Sequence, residues 1–427
     1  MHKTPQASRR KFLKYAAAIS SAPLLAPVVW AQGAAPRVVV VGGGFAGASC
    51  ARALRRADER IAVTLVESNA NYIACPFSNE VIAGMRELNA QQFSYDKVAA
   101  HGITLVRASA SAIDAEARSV ILADGARLPY DRLVLAPGID IRWDALPGYG
   151  EAAAERMPHA WKAGAQTQLL RRQLEAMEDG GLVVISVPSN PYRCPPGPYE
   201  RASLIAHYLK TKKPRSKLIV LDAKDAFSKQ RLFQSAWSEL YPGLLEWVAL
   251  SKGGSVTSID AATNTLITDF GSHRAAVANV IAPQKAGRIA DIAGVTDRSG
   301  WCPVDPVSFE SRLQAGIHVI GDAAIMGAMP KSAFAANAQA KVCAEAIARL
   351  LVGELPSAPK LINTCYSLVA PDYGISVAGV YQPANGQLTE VPGSGGVSPA
   401  NASRATRAQE AALAEGWFRT ITAEVFA

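Results

Sequence analysis

Six cysteines, Cys50, Cys75, Cys194, Cys302, Cys343 and Cys365, are the side chains of this 427-residue chain best suited to redox or nucleophilic chemistry. Their spacing contains neither C-x-x-C nor C-x-x-C-H, which excludes a zinc ribbon and a c-type haem attachment site on this chain. What remains is thiol or disulfide chemistry, or plain burial. Cys194 has the most unusual surroundings. It lies in "VPSNPYRCPPGPYERAS", between a strand read as Leu182 to Val187 and a helix read as Tyr199 to Lys210. A strand, a turn and a helix in that order would ordinarily hold a dinucleotide pyrophosphate on the amides of the turn. Here Pro188, Pro191, Pro195, Pro196 and Pro198 have no N–H to offer. Glu200 stands at the start of the helix, where a carboxylate is favoured by the helix dipole and could also take a proton from a nucleophile.

The complete form of such a unit stands near the N-terminus. In "RVVVVGGGFAGASCARALRRAD" four valines make a buried strand, and Gly42, Gly44 and Gly47 open a helix. "IAVTLVESN" then gives a second strand ending at Glu67 and Ser68. Glycines at those positions allow the tight turn and the close approach of a pyrophosphate, and the acid at the second strand end bonds a ribose. Cofactor contacts are therefore expected at Gly42, Gly44, Phe45, Ala46, Gly47, Glu67 and Ser68.

Two later segments favour FAD over NAD. "YDRLVLAPGI" ends a strand at Ala136, Pro137 and Gly138, and "GIHVIGDAA" ends another at Gly321 and Asp322, just before the helix "SAFAANAQAKVCAEAIARLL". This arrangement resembles the two-dinucleotide-domain flavoprotein reductases. There the first segment marks the exit from the FAD domain, and the aspartate of the second meets the ribityl and pyrophosphate region. In the middle unit, Asp222 ends "KLIVLD" as a ribose-binding acid would, but without a glycine loop it is read as a decoy. The middle unit keeps the layered fold and cannot seat NAD, so electrons must reach the flavin by another route.

The cysteines supply that route once the long motifs are set side by side. "YRCPPGPYERAS", "GWCPVD", "GIHVIGDA", "MPKSAFAANAQAK" and "NTCYSLVAPDYGISVA" resemble the flavoprotein subunit of flavocytochrome c sulfide dehydrogenase along most of the chain. The resemblance implies FAD bound covalently through a thioether at Cys75, a redox disulfide between Cys194 and Cys365 over the flavin, and an active-site acid at Glu200. It also places Lys331 beside the flavin pyrimidine and calls for a partner subunit carrying haem c, with sulfide as the substrate. Cys302 is the alternative partner for Cys194, a purely structural disulfide is the plainer reading of the pair, and Cys50 and Cys343 read as core thiols on helical faces. Two other functions stay open at this point: a sulfide:quinone oxidoreductase, which shares fold and disulfide but needs a membrane, and a non-catalytic flavin-bearing electron-transfer or assembly subunit.

The elements that must position these residues form an α/β chain. The expectation is two Rossmann-like dinucleotide-binding-type domains and a C-terminal α+β domain: an FAD domain over 36–145 and 286–360, a second domain without an NAD site over 146–285, and a third over 361–427. The first 31 residues read as a twin-arginine export signal, with Arg9 and Arg10 before an apolar stretch and a small-residue cleavage site at Val29-Trp30-Ala31. Pro23 and Pro27 interrupt that stretch, so no transmembrane segment is expected in a mature, periplasmic chain. Removing Lys3, Arg9, Arg10, Lys11 and Lys14 with the signal lowers the formal charge from +8 to +3. No basic run remains to bind nucleic acid. The C-terminal "RATRAQEAALAEGWFRTITAEVFA" forms an amphipathic helix through Leu413, Trp417, Phe418 and Ile421, with interspersed acids that favour packing on protein over membrane insertion.

Overall fold

β-Branched residues pack well on a pleated surface, and Val38 to Val41 are all buried in strand β1 (Arg37–Val41). The computed structural model describes residues 35–427, so the expected export signal lies outside the described residues. Helix α1 (Phe45–Ala57) begins within one turn of β1. Gly42 makes that turn with φ +102°, and a Cβ there would lie 2.4 Å from the Ala136 carbonyl oxygen. Strands β2 (Ala62–Val66), β3 (Ile103–Val106) and β4 (Arg132–Leu135) join β1 in parallel register. An antiparallel meander of three short strands fills the interval between β3 and β4.

The chain then builds a second parallel sheet. Its strands β5 (Leu182–Val187), β6 (Lys217–Asp222), β7 (Leu245–Val248) and β8 (Val277–Val280) lie in the order β7-β6-β5-β8. Helices α2 (Gly197–Lys212) and α3 (Gln230–Leu240) belong to this unit. The interior of β5 is continuously buried, as befits a central parallel strand covered on both faces.

The return crossing completes the first sheet. Strand β9 (Ile317–Val319) pairs in parallel with β4, giving the order β9-β4-β1-β2-β3 from two separated parts of the chain. Helix α4 (Ala333–Leu351), capped by Ser332 Oγ on the Ala335 N–H, packs along α1, and Asn337 Nδ2 donates to Ser49 Oγ at 2.9 Å. The C-terminal part is antiparallel: β10 (Leu361–Ala370), β11 (Tyr373–Ala384) and β12 (Gln387–Glu390), followed by helix α5 (Arg404–Phe426). The architecture is thus two Rossmann-like sheets plus a C-terminal antiparallel α+β unit, as the element pattern predicts.

The apolar face of α5 is covered by the chain itself. Phe418 meets Phe77 at 4.9 Å between ring centroids, and Phe426 stacks on Tyr72 and Phe93 at 5.1 and 5.3 Å. Leu413, expected on this face, is exposed. Among the described residues, no helix is long and apolar enough to cross a membrane.

Candidate active site

At the C-terminal ends of β1, β2 and β4, where the strand order of the first sheet reverses, lies a cavity of about 480 Å³. Open parallel sheets bind ligands at such a switch point. Gly42, Gly44, Phe45 and Ala46 line it from the glycine loop, Cys194 and Glu200 from the proline-rich turn and α2, and Cys365 from β10. Cys75, Glu67, Ala136, Pro137, Gly138, Gly321 and Asp322 line it as well.

On the nucleotide side, Glu67 is held by its own loop. Its Oε2 accepts the Gly43 N–H at 2.8 Å, and its Oε1 accepts the backbone and side-chain N–H groups of Asn69 at 2.8 and 2.7 Å. The Oδ1 atom of Asp322 and the hydroxyl of Tyr95 are buried in the cavity wall without hydrogen-bond partners. Burial raises the Asp322 pKa, against the pull of Arg193 and Lys331. An uncapped helix N-terminus at Gly44, an orphan acceptor and an orphan hydroxyl fit a ligand with phosphates and hydroxyls, as FAD has.

Gly47, Ser68 and Lys331 do not line the cavity. Gly47 works beneath it: a Cβ there would lie 1.8 Å from the Gly42 carbonyl oxygen, so its task is to let α1 lie against the turn. Asn69, bonded back to Glu67, faces the cavity in place of Ser68. The Lys331 ammonium donates to the carbonyls of Asp322 and Ala324 at 2.8 and 2.7 Å and lies 4.0 Å over the Trp301 ring. Burial lowers its pKa to about 8. Lys331 therefore fastens the segment that carries Asp322, and its own carbonyl accepts the Cys194 N–H at 2.8 Å.

Around Cys194 the amides of the proline-rich turn are spent within the protein. The N–H of Arg193 donates to Gln284 Oε1, that of Cys194 to Lys331 and that of Gly197 to the Cys194 carbonyl. Pro195, Pro196 and Pro198 have none. Asp222, the would-be ribose acid, is wholly buried and accepts from Lys224 Nζ at 2.6 Å, Tyr199 Oη at 2.6 Å and Trp247 Nε1 at 2.9 Å. Three donors within the protein thus hold its two oxygens.

All six cysteines are free thiols in this structure. Cys194 adopts a left-handed conformation, φ +57°, that non-glycine residues seldom take. Space around it is tight, since a Cβ on Gly197 would lie 3.1 Å from its sulfur and 2.9 Å from the Trp161 ring. Burial pushes the Cys194 thiol up, with Cys365 and Glu200 adding to the shift and Lys229 and Arg193 opposing it. Burial also raises the Cys365 thiol, while Lys229 and a 3.2 Å hydrogen bond from Asn363 Nδ2 draw it down. Glu200 is raised by burial and held back by hydrogen bonds from Leu368 N–H and Asn79, both at 2.8 Å. Cys75 Sγ lies 3.9 Å from the Trp161 carbonyl. Cys302, Cys50 and Cys343 are buried elsewhere and do not line the cavity.

Several residues of the site carry no sequence signal that singled them out. Arg201 is buried, lies 4.7 Å over the Trp161 ring, and donates to Asn79, Asn279 and the carbonyls of His159 and Ala160. Burial brings its pKa down to about 9. Arg193 donates to the Trp161 carbonyl and lies 3.8 Å from Asp322 Oδ2. Lys229 reaches Cys365 from α3. The adjacency of Arg193 and Arg201 to Cys194 and Glu200 in the chain is the only hint available beforehand.

Comparison with known proteins accounts for this combination. Residues 167–282 match the family described as sulfide dehydrogenase (flavocytochrome c) flavoprotein chain, central, and residues 357–426 match flavocytochrome c sulphide dehydrogenase, flavin-binding. Residues 36–185 match the pyridine nucleotide-disulphide oxidoreductase family. The sulfide dehydrogenase (flavocytochrome c) flavoprotein chain of Chlorobaculum thiosulfatiphilum is 62% identical over 45 residues, which are 10% of this chain and 94% of that sequence. The mitochondrial sulfide:quinone oxidoreductase of Mus musculus is 22% identical over 297 residues, 67% of this chain and 65% of that protein. Among solved structures, the sulfide:quinone oxidoreductase of Aquifex aeolicus superposes with a TM-score of 0.68 at 16% identity, over 91% of this chain and 92% of that one, a likeness of fold. With its flavin-binding and central regions both matched, this flavin-dependent oxidoreductase belongs to the family of flavocytochrome c sulfide dehydrogenase flavoprotein chains.

Proposed function

We propose that this chain oxidises sulfide to sulfur or polysulfide at a Cys194–Cys365 disulfide and passes the electrons, one at a time, to a c-type cytochrome subunit. In this reading FAD occupies the cavity, joined to Cys75 by a thioether, and the protein works in the periplasm after twin-arginine export. The observation that carries it is the meeting of Cys194, Glu200 and Cys365, from a turn, a helix and a distant strand, on one cavity with Cys75.

FAD, when bound, supplies the two-electron acceptor that returns the dithiol to the disulfide. The chain's own residues handle sulfur and protons. Hydrosulfide attacks one sulfur of the disulfide, so that a new S–S bond forms as the old one breaks. One cysteine becomes a persulfide and the other leaves with the electron pair as a thiolate; a second hydrosulfide then takes the outer sulfur away as a disulfide anion, and the bond broken returns the first cysteine to a thiol, leaving the dithiol. Glu200 takes the proton of the bound hydrosulfide. Its raised pKa brings it closer to the working pH, where a general base is most effective. The glycine loop at Gly42 and Gly44, with Glu67, would hold the nucleotide end, and the unpartnered Oδ1 of Asp322 would accept a hydroxyl.

The bonded amides of Arg193, Cys194 and Gly197 and the prolines between them, which have no N–H, speak against NADH as the reductant. The self-covered face of α5 speaks for a protein acceptor over a membrane quinone. The test is an anaerobic absorbance titration of the purified protein with sulfide, alone, with a c-type cytochrome and with a short-chain quinone. Flavin bleaching by sulfide and faster reduction of the cytochrome are expected. A flavin that sulfide does not bleach would overturn the reading in favour of a non-catalytic subunit.

A further inference from the structure

Lys229 caps the N-terminus of α3 in a left-handed conformation, φ +61°, and sends its side chain to the C-terminal sheet. Its ammonium donates to the Cys365 carbonyl at 2.8 Å, to Ser367 Oγ at 2.8 Å and to the Ile375 carbonyl at 3.5 Å. All these acceptors are neutral. These hydrogen bonds do not neutralise the charge of the half-buried ammonium, which is left to act on the anionic groups around it.

We infer that Lys229 is a positioning residue for the redox pair, whose ammonium stabilises the anion left on Cys194 and Cys365 when their disulfide opens. This rests on the sulfide-oxidising reading of the same pair. The groups that face the ammonium are Cys365 on β10, Cys194 and Glu200 at the head of α2, and Glu410 on α5. Lys229 is in turn the cation that most favours the thiolate of both cysteines. Without it, the departing sulfur would carry its electron pair into a site where burial disfavours a thiolate. Opening needs no further reagent: hydrosulfide supplies the attacking pair, the disulfide bond breaks, and the leaving sulfur keeps the bonding pair unprotonated. Burial lowers the Lys229 pKa to about 8, so the charge is present at neutral pH and fades in mild alkali.

The alternative role is a mechanical tether between α3 and β10, and substitutions separate the two. Lys229→Gln keeps donors for Cys365 and Ser367 without the charge, Lys229→Met removes both, and Lys229→Arg keeps both. Each flavin-loaded protein is reduced with dithiothreitol and freed of it, and the alkylation rates of Cys194 and Cys365 at pH 7, which follow the thiolate fraction, are read by mass spectrometry. Bound flavin reports folding, and Lys229→Gln alone carries the test if Lys229→Met does not fold. The expected result is alkylation about tenfold slower in Lys229→Gln, with Lys229→Arg close to the parent. A Lys229→Gln rate equal to the parent's, or an equal fall in Lys229→Arg, would overturn the inference alone. A parent protein that forms no Cys194–Cys365 disulfide before reduction would overturn the sulfide-oxidising reading with it.

Discussion

The Glu200 carboxylate accepts the backbone N–H of Leu368 at 2.8 Å, so the helix that follows Cys194 is bonded to the strand that carries Cys365. Its other oxygen accepts from Asn79 Nδ2, also at 2.8 Å, four residues beyond Cys75 in the chain. Glu200 thus touches the segments of all three cavity cysteines, which gives it a structural role beside the proposed proton transfer.

The two roles respond differently to substitution. Glu200→Gln keeps an acceptor for Leu368 and should slow sulfide-driven flavin reduction by about 10²- to 10⁴-fold, as expected for loss of a general base. Glu200→Ala should in addition lower stability by about 1–3 kcal/mol, because the Leu368 N–H loses its partner. Stopped-flow absorbance and thermal melts of both variants read the difference.

Both sulfurs are needed to open and reform a disulfide. Cys194→Ser and Cys365→Ser should each abolish sulfide-driven bleaching while dithionite still reduces the bound flavin. Cys302→Ser should turn over normally. A normal Cys194→Ser beside an inactive Cys302→Ser would mean that the pair has been misassigned.

Covalent attachment at Cys75 makes a simple prediction. Acid-denatured protein should keep its yellow colour through washing, and Cys75→Ala should release FAD into the supernatant. Flavin that washes freely from the unsubstituted protein would refute the thioether.

The second Rossmann-like unit should be indifferent to nicotinamide cofactors. The amides of Arg193, Cys194 and Gly197 and the carboxylate of Asp222 are bonded within the protein and Pro195, Pro196 and Pro198 have no N–H, so NADH and NADPH should neither bind nor reduce the flavin under anaerobic conditions. Rapid reduction by either, followed by absorbance, would contradict this.

Buried His159 accepts the Trp161 N–H on Nδ1 at 2.9 Å, and burial lowers its pKa to about 4. The unfolded chain, with a histidine pKa near 6.5, binds the proton more readily, so this contribution is complete above about pH 6.5 and is lost as pH falls toward 4. Full protonation would cost on the order of 3 kcal/mol. His159→Asn, which keeps an acceptor for Trp161, should flatten the fall in melting temperature between those pH values.

What the sequence by itself determined is local. Val38 to Val41 followed by Gly42 dictate a buried strand and a tight turn, and the prolines around Cys194 remove amide donors wherever the turn lies in space. Those features need only covalent structure and near neighbours, so they are legible in one dimension. Tertiary structure decided what depends on partners far along the chain. It brought Cys365 of β10 to the cavity of Cys194, and it turned the Lys331 ammonium onto the Asp322 and Ala324 carbonyls instead of into the cavity. It also placed Lys229, unremarkable in the sequence, against Cys365. A charged side chain on a flexible stem has many reachable positions, and only the packed neighbours that exclude water and offer acceptors select one.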